Sequence, residues 1–118
     1  MQGKPTIVIR RISEIVYQAM EETMNIPPKD NFQIIAEHDS NTLIYSIDYL
    51  GIQRTDGIVI IQITLGEGRT VEQKKAFYQR LAERLHNELQ IRMEDVFINL
   101  IEVQKEDWSY GNGIAQYA

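Results

Sequence analysis

The chain has no cysteine. That excludes a disulfide scaffold, a thiolate zinc site and a cysteine nucleophile, and it is compatible with the cytoplasmic setting expected here. Basic charge is also scarce: 12 Lys and Arg stand against 17 Asp and Glu, for a formal net charge of −5. Sequence-independent nucleic-acid binding needs a basic footprint, so no such partner is expected. No apolar run approaches the roughly 18 residues of a membrane span. Arg10 and Arg11 break off Ile7-Val8-Ile9 before it could serve as a signal-peptide core, so no membrane partner is expected. What is present is a chain of 118 residues, 43% of them apolar. That suffices for a packed core and has the usual size of one domain.

The chain repeats itself. Displaced by 65 positions, Gly3 falls on Gly68, Lys4 on Arg69, Ile12 on Phe77, Val16 on Leu81, Met20 on Leu85 and Met24 on Leu89. Asp30 then falls on Asp95, Phe32 on Phe97 and Glu37 on Glu102, and no gap is needed. So many matches at helix-face and turn positions indicate a duplicated unit, with pseudo-repeats over about 1–38 and 58–103 and a tail over 104–118.

The second copy reads as β-α-β. Ile58 to Leu65 is a nearly unbroken β-branched run, the pattern of a strand buried on both faces. Gly66-Glu67-Gly68-Arg69 is a turn, and Thr70 with Gln73 forms a capping box at a helix start. Phe77, Leu81, Leu85 and Leu89 give one apolar helix face, and Val96 to Val103 is a second buried strand. The first copy has the turn, a helix over about Thr6 to Met24 with Val8, Ile12, Ile15, Val16 and Ala19 on its apolar face, and a returning strand over about Phe32 to Glu37. A competing assignment makes Thr6 to Ile9 a strand on local propensity, but the repeat register favours helix. The opening strand of the first copy would fall before Met1. Asp39 to Gly57 reads as irregular or edge structure, and Asn112-Gly113 is a two-residue hairpin signal. The fold class expected is α/β (α+β): duplicated β-α-β, two helices on one face of a four-stranded sheet, its first strand missing from the chain as written. Two helices cover one face only, so a homo-oligomer packing sheet against sheet is expected. A ferredoxin-like antiparallel sheet is the competing architecture.

The stretches IPPKDNFQIIAEH, YLGIQRTDG, GEGRTVEQK and EDVFINLIEVQKEDWSYGNGIAQYA together resemble the tautomerase superfamily, in its malonate semialdehyde decarboxylase-like group, over nearly the whole chain. The resemblance implies a β-α-β repeat assembled as a trimer and cofactor-free chemistry on small keto, enol or semialdehyde carboxylates. It implies an amino-terminal proline whose secondary amine is a general base or acid, since an α-amino group starts near pKa ~7.7–8.0 and burial beside cations favours its neutral form. That proline has no counterpart here. Pro5 matches the turn, and the expectation is a misplaced start, a truncation or a lost strand.

By the same resemblance, Asp30 takes the place of a loop aspartate acting in catalysis. Arg69 takes that of a turn arginine that acts in catalysis and holds the substrate carboxylate, a task suited to a planar guanidinium fork. Gly66, Glu67 and Gly68 precede Arg69 where a second basic residue is often found. Trp108 and Tyr110 match an aromatic tail lining the pocket, and Arg54 either lines that pocket or pairs with Asp56. Each has a plainer alternative. Asp30 could cap its own turn as Asp95 would, Arg69 could be a solvated turn residue in spite of the unfavourable helix N-terminus, and Trp108 and Tyr110 could be core or subunit contacts. His38 reads as surface before proton carrier, and His86 as solvated. No metal cluster, serine triad or phosphate loop is evident, so no cofactor or metal is expected. The alternative to an enzyme is a non-catalytic oligomeric module that binds small anions.

Overall fold

The computed structural model describes residues 3–118. Two 19-residue helices dominate it: α1 over Thr6–Met24 and α2 over Val71–Leu89. Both bounds of one are displaced from those of the other by the repeat offset, and so are their C-caps, Asn25 and Gln90, which share the left-handed conformation at φ 53° and 55°. Such a residue ends a helix by turning the chain off its axis. Thr6 to Ile9 is helical, as the register required and local propensity did not. The helix starts differ in their chemistry. Thr70 and Gln73 close the expected capping box on α2, whereas Pro5, which has no side-chain acceptor, stands at the start of α1.

Strands β1 (Val59–Gly66) and β2 (Val96–Val103) pair in parallel, Val59 opposite Val96 through Gly66 opposite Val103. A parallel pair needs a crossover, and α2 supplies it. The ferredoxin-like alternative, with its antiparallel sheet, does not fit this ladder.

Helices α1 and α2 lie antiparallel. Arg11 near the start of α1 pairs with Glu88 near the end of α2, while Thr23 and Met24 at the end of α1 meet Gln73 and Arg69 at the start of α2. Arg80 and Arg84 add ion pairs to Glu22 along the same seam. The core lies between helices and sheet. It is built from Ile15, Ala19 and Met24 of α1, Phe77, Leu81 and Leu85 of α2, and Val59 and Leu65 of β1, with Ile58 and Ile91 closing the ends.

Four expectations change. The four-stranded sheet is a two-stranded ladder among the described residues. The segment expected as a strand over Phe32 to Glu37 lies free of any ladder, because no strand among the described residues lies beside it to receive its hydrogen bonds. β1 and β2 are not buried on both faces: Ile60, Gln62 and Thr64 are exposed opposite Phe97, Asn99 and Ile101. Gln62 donates to Asn99 across the middle of that face, at 3.2 Å. At the tail, Asn112 and Gly113 both have positive φ, as the turn signal required, but residues 114–118 form no strand and the hairpin does not develop.

Candidate active site

A groove of about 1930 Å³ runs along α1 from Ile9 to Met20. The segment 26–38 forms one wall, β1 and its following turn another, and Glu102 of β2 with the tail from Gln104 onward closes an end. Asp30, Arg69, Trp108 and Tyr110 all line it.

Asp30 reaches the groove because Asn25 turns the chain out of α1 and the Pro27–Asp30 turn (Asp30 N–H to Pro27 O, 3.3 Å) brings it back along the helix. Its repeat mate has a different fate. Asp95 is only 2% exposed, and its carboxylate accepts from the Thr55 N–H at 2.7 Å and the Thr55 hydroxyl at 2.5 Å. Asp95 therefore ties the 45–57 loop to the sheet rather than capping its own turn. Asp30 is half-buried at the groove wall instead.

Arg69 stands just before α2, where the positive end of the helix dipole disfavours a cation. Its side chain turns away from that end. Nε donates to Met24 O, the last carbonyl of α1, at 3.0 Å, and Nη1 donates to Gly66 O at 2.9 Å. The negative end of α1 thus compensates the positive end of α2. These contacts use two of the five guanidinium N–H groups, which fixes the fork while other donors can meet a ligand carboxylate.

The tail brings its aromatics together. Trp108 stacks on Tyr110 with centroids 5.3 Å apart, Tyr117 meets Tyr110 edge-on at 5.5 Å, and Phe32 lies 6.1 Å from Tyr110 on the other side. Burial, reinforced by the negative charge of Asp30 and by Tyr117, pushes the Tyr110 hydroxyl above its ordinary value. It therefore stays a neutral donor at neutral pH, close enough to Asp30 to feel its charge. Tyr117 also lines the groove and was not singled out from sequence. The signal was there, a third tail aromatic beyond the Gly111-Asn112-Gly113 turn, but only the turn's left-handed residues show that the chain folds back onto Tyr110.

Arg54 lies outside the groove lining. Its Nη1 donates to the carbonyls of Ser46, Tyr49 and Ile52 at 3.1–3.4 Å and so holds the loop around Leu50, whose φ is +61°. Asp56 accepts from Tyr45 at 2.6 Å, not from Arg54. His38 is at the groove rim, 3.2 Å from the Thr42 hydroxyl. His86 is 3.1 Å from Ile91 O, serving the end of α2. No group of three or more metal-ligating side chains occurs among the described residues, and no helix among them is long and apolar enough to cross a membrane.

The protein thus combines a parallel β-α-β unit and a second helix of the same register with a carboxylate, a guanidinium and an aromatic tail around one groove. Residues 30–111 match the family of tautomerase enzymes, and the chain belongs to it. It is 44% identical over 114 residues to the probable tautomerase YusQ of Bacillus subtilis (strain 168), covering 97% of this chain and 90% of that one. Its structure is similar to malonate semialdehyde decarboxylase, solved in wild-type, mutant and inactivated forms, with a TM-score of 0.89 and 26% identity over 99% of this chain and 90% of that one. It is also similar to the FG41 malonate semialdehyde decarboxylase inhibited by 3-bromopropiolate, at a TM-score of 0.86 and 36% identity over 97% and 86% of the two chains. A fused 4-OT, a symmetric trimer, shares the fold with a TM-score of 0.79 at 23% identity, over 99% of this chain and 92% of that one. The superfamily read from the motifs, with malonate semialdehyde decarboxylase among its relatives, is the one the comparisons return.

Proposed function

We propose that the protein is a cofactor-free keto–enol tautomerase or decarboxylase of small keto or semialdehyde carboxylates, working in the cytoplasm as a homotrimer. The observation that carries this is the convergence of Asp30, Arg69, Trp108 and Tyr110 on one groove. Arg69, held rigid by Met24 O and Gly66 O, receives the substrate carboxylate. Asp30 orients the group that moves the proton, and the protonated Tyr110 donates to the enolate or carboxylate oxygen. Trp108 and Tyr117 keep water from the reacting carbon. Arg54, committed to its own loop, acts on the pocket only through that loop. The exposed sheet face of Ile60, Phe97 and Ile101 supports assembly, and a fused 4-OT of the same fold is a trimer.

The proton carrier that suits this chemistry is a proline secondary amine. Pro5 does not supply it, because at the start of α1 its nitrogen is a peptide-bonded tertiary amide with no basic lone pair. Turnover of a phenylpyruvate-type enol by the mass-verified 118-residue chain is therefore expected to be near background. Extension at the amino end by a strand headed by proline is expected to restore it, and Arg69→Ala and Asp30→Asn to abolish it again. Robust turnover by the 118-residue chain itself would refute the amine requirement. No turnover by the extended chain would refute catalysis and leave the small-anion-binding module.

A further inference from the structure

The turn that carries Arg69 is tied to the end of β2. Glu67 N–H donates to Val103 O at 2.8 Å. Gly68 N–H donates to the Glu102 carboxylate, and Lys74, in the first turn of α2, pairs with that same carboxylate. Glu102 and Arg69 both line the groove. The Lys74 ammonium first, then the Gly68 N–H and the charge of Arg69, hold the Glu102 carboxyl below the usual carboxylate range.

The first repeat contains the same clasp. Glu37 and Gly3 are the repeat mates of Glu102 and Gly68, and Gly3 N–H donates to Glu37 Oε2 at 3.1 Å. Both glycines have positive φ, +78° at Gly3 and +117° at Gly68, and a Cβ at either would meet nothing within 4 Å. Glycine therefore stands there for the dihedral and not for lack of space, and the dihedral aims the N–H at the carboxylate. The halves differ in what the clasp holds. In the second, Arg69 follows the glycine and Lys74 backs the carboxylate. In the first, those positions are Lys4 and Ile9, and Ile9 cannot neutralise Glu37 as Lys74 neutralises Glu102.

We infer that Glu102 is a positioning residue for Arg69. By holding the Gly68 N–H it fixes the turn from which Arg69 reaches Met24 O and Gly66 O, and so fixes where the remaining guanidinium N–H groups point in the groove. Lys74 has a part in this. A bare carboxylate beside a guanidinium would pair with it directly and close the fork to a ligand. With Lys74 on Glu102, the carboxylate holds the backbone of the turn and leaves the fork on its two carbonyls. The bearing of Glu102 on a substrate rests on the reading of Arg69 as the receiver of the carboxylate, but its hold on Arg69 does not.

The test follows the Arg69 Nε–H signal in the isotope-labelled full chain, identified by its loss in Arg69→Lys, and measures its exchange with water. The bond to Met24 O protects that proton in the parent protein. The Glu102 side chain is 35% exposed, so the fold tolerates its truncation. Glu102→Ala is expected to speed the exchange by about tenfold or more, the consequence of losing one charge-assisted hydrogen bond. Glu102→Gln keeps an acceptor for the Gly68 N–H and is expected to stay within about threefold of the parent. Asp95→Ala weakens the fold at the opposite end of β2 and is expected to leave the Arg69 signal unmoved. Binding is read separately, by titrating pyruvate against the indole N–H signal of Trp108, the single tryptophan. Glu102→Ala is expected to weaken it by about tenfold and Glu102→Gln to restore it. Exchange unmoved by Glu102→Ala, or speeded as much by Glu102→Gln or by Asp95→Ala, overturns the inference. Exchange that responds as expected while pyruvate moves no signal of the parent protein upholds the positioning and overturns the reading of Arg69 as the carboxylate receiver.

Discussion

Asp95→Ala is expected to destabilise the protein by about 2–4 kcal/mol while leaving the groove intact. Two charge-assisted hydrogen bonds, from the Thr55 N–H at 2.7 Å and its hydroxyl at 2.5 Å, are lost together. Each such bond contributes roughly 1.5–3 kcal/mol. Arg92 Nη1, 3.7 Å from the carboxylate and buried without another partner, loses its counter-charge as well. Against this, alanine no longer buries a carboxylate, and the part-exposed Thr55 N–H recovers water, which brings the sum down to the range given. Urea unfolding at neutral pH measures the change as a lower midpoint with an unchanged slope. Pairing the substitution with Thr55→Ala should show a coupling of about 1–2 kcal/mol. The contrast lies in the first repeat: Asp30→Ala, half-buried at the groove, should shift the midpoint little. A loss below about 1 kcal/mol for Asp95→Ala, or an equal loss for Asp30→Ala, would refute the division of the two aspartates into a structural and a groove-facing member.

Thr70→Ala removes the capping box of α2 and should lower stability by about 1 kcal/mol, seen in the same urea midpoint. Acid should weaken the fold through Glu88, held below the usual carboxylate range by Arg84 and Arg11, and Glu102, held low by Lys74. A carboxylate with a depressed folded-state value binds protons less readily than in the unfolded chain. Its contribution is therefore complete above the ordinary glutamate value of about 4.3 and is lost as pH falls through the lowered one. The urea midpoint should drop from about pH 5 downward, less so in about 0.5 M salt because these pairs are exposed. Glu88→Gln should flatten that slope, and an unaltered slope would count against it.

Much of this was legible in the residues. Apolar periodicity located β1, α2 and β2, because helix faces and β-branched runs carry their period in the sequence, and the 65-residue displacement carried that reading onto α1. It also overruled the strand propensity of Thr6 to Ile9. Phe32 to Glu37 has strand composition without strand pairing, because pairing belongs to two segments and composition to one. Asp30, Arg69, Trp108 and Tyr110 were found by motif and do share a groove. Arg54 was not placed correctly relative to that groove by its neighbours in sequence, since carbonyls of Ser46 and Tyr49 hold it, and carbonyls have no signature in a sequence. Tyr117 was missed for a related reason: backbone dihedrals at Asn112 and Gly113 return it to Tyr110.

The equal length of α1 and α2, 19 residues each with a left-handed residue at the end, has a bearing on insertions and deletions. Antiparallel neighbours must match in length if each is to hand the chain back at the correct sheet end. One residue added inside α1 would turn everything beyond it by about 100° and advance it by about 1.5 Å. Ala19 and Met24 would leave the core, and Met24 O would leave Arg69. Loops such as 39–57 can absorb a change in length, but the two helices can change only together.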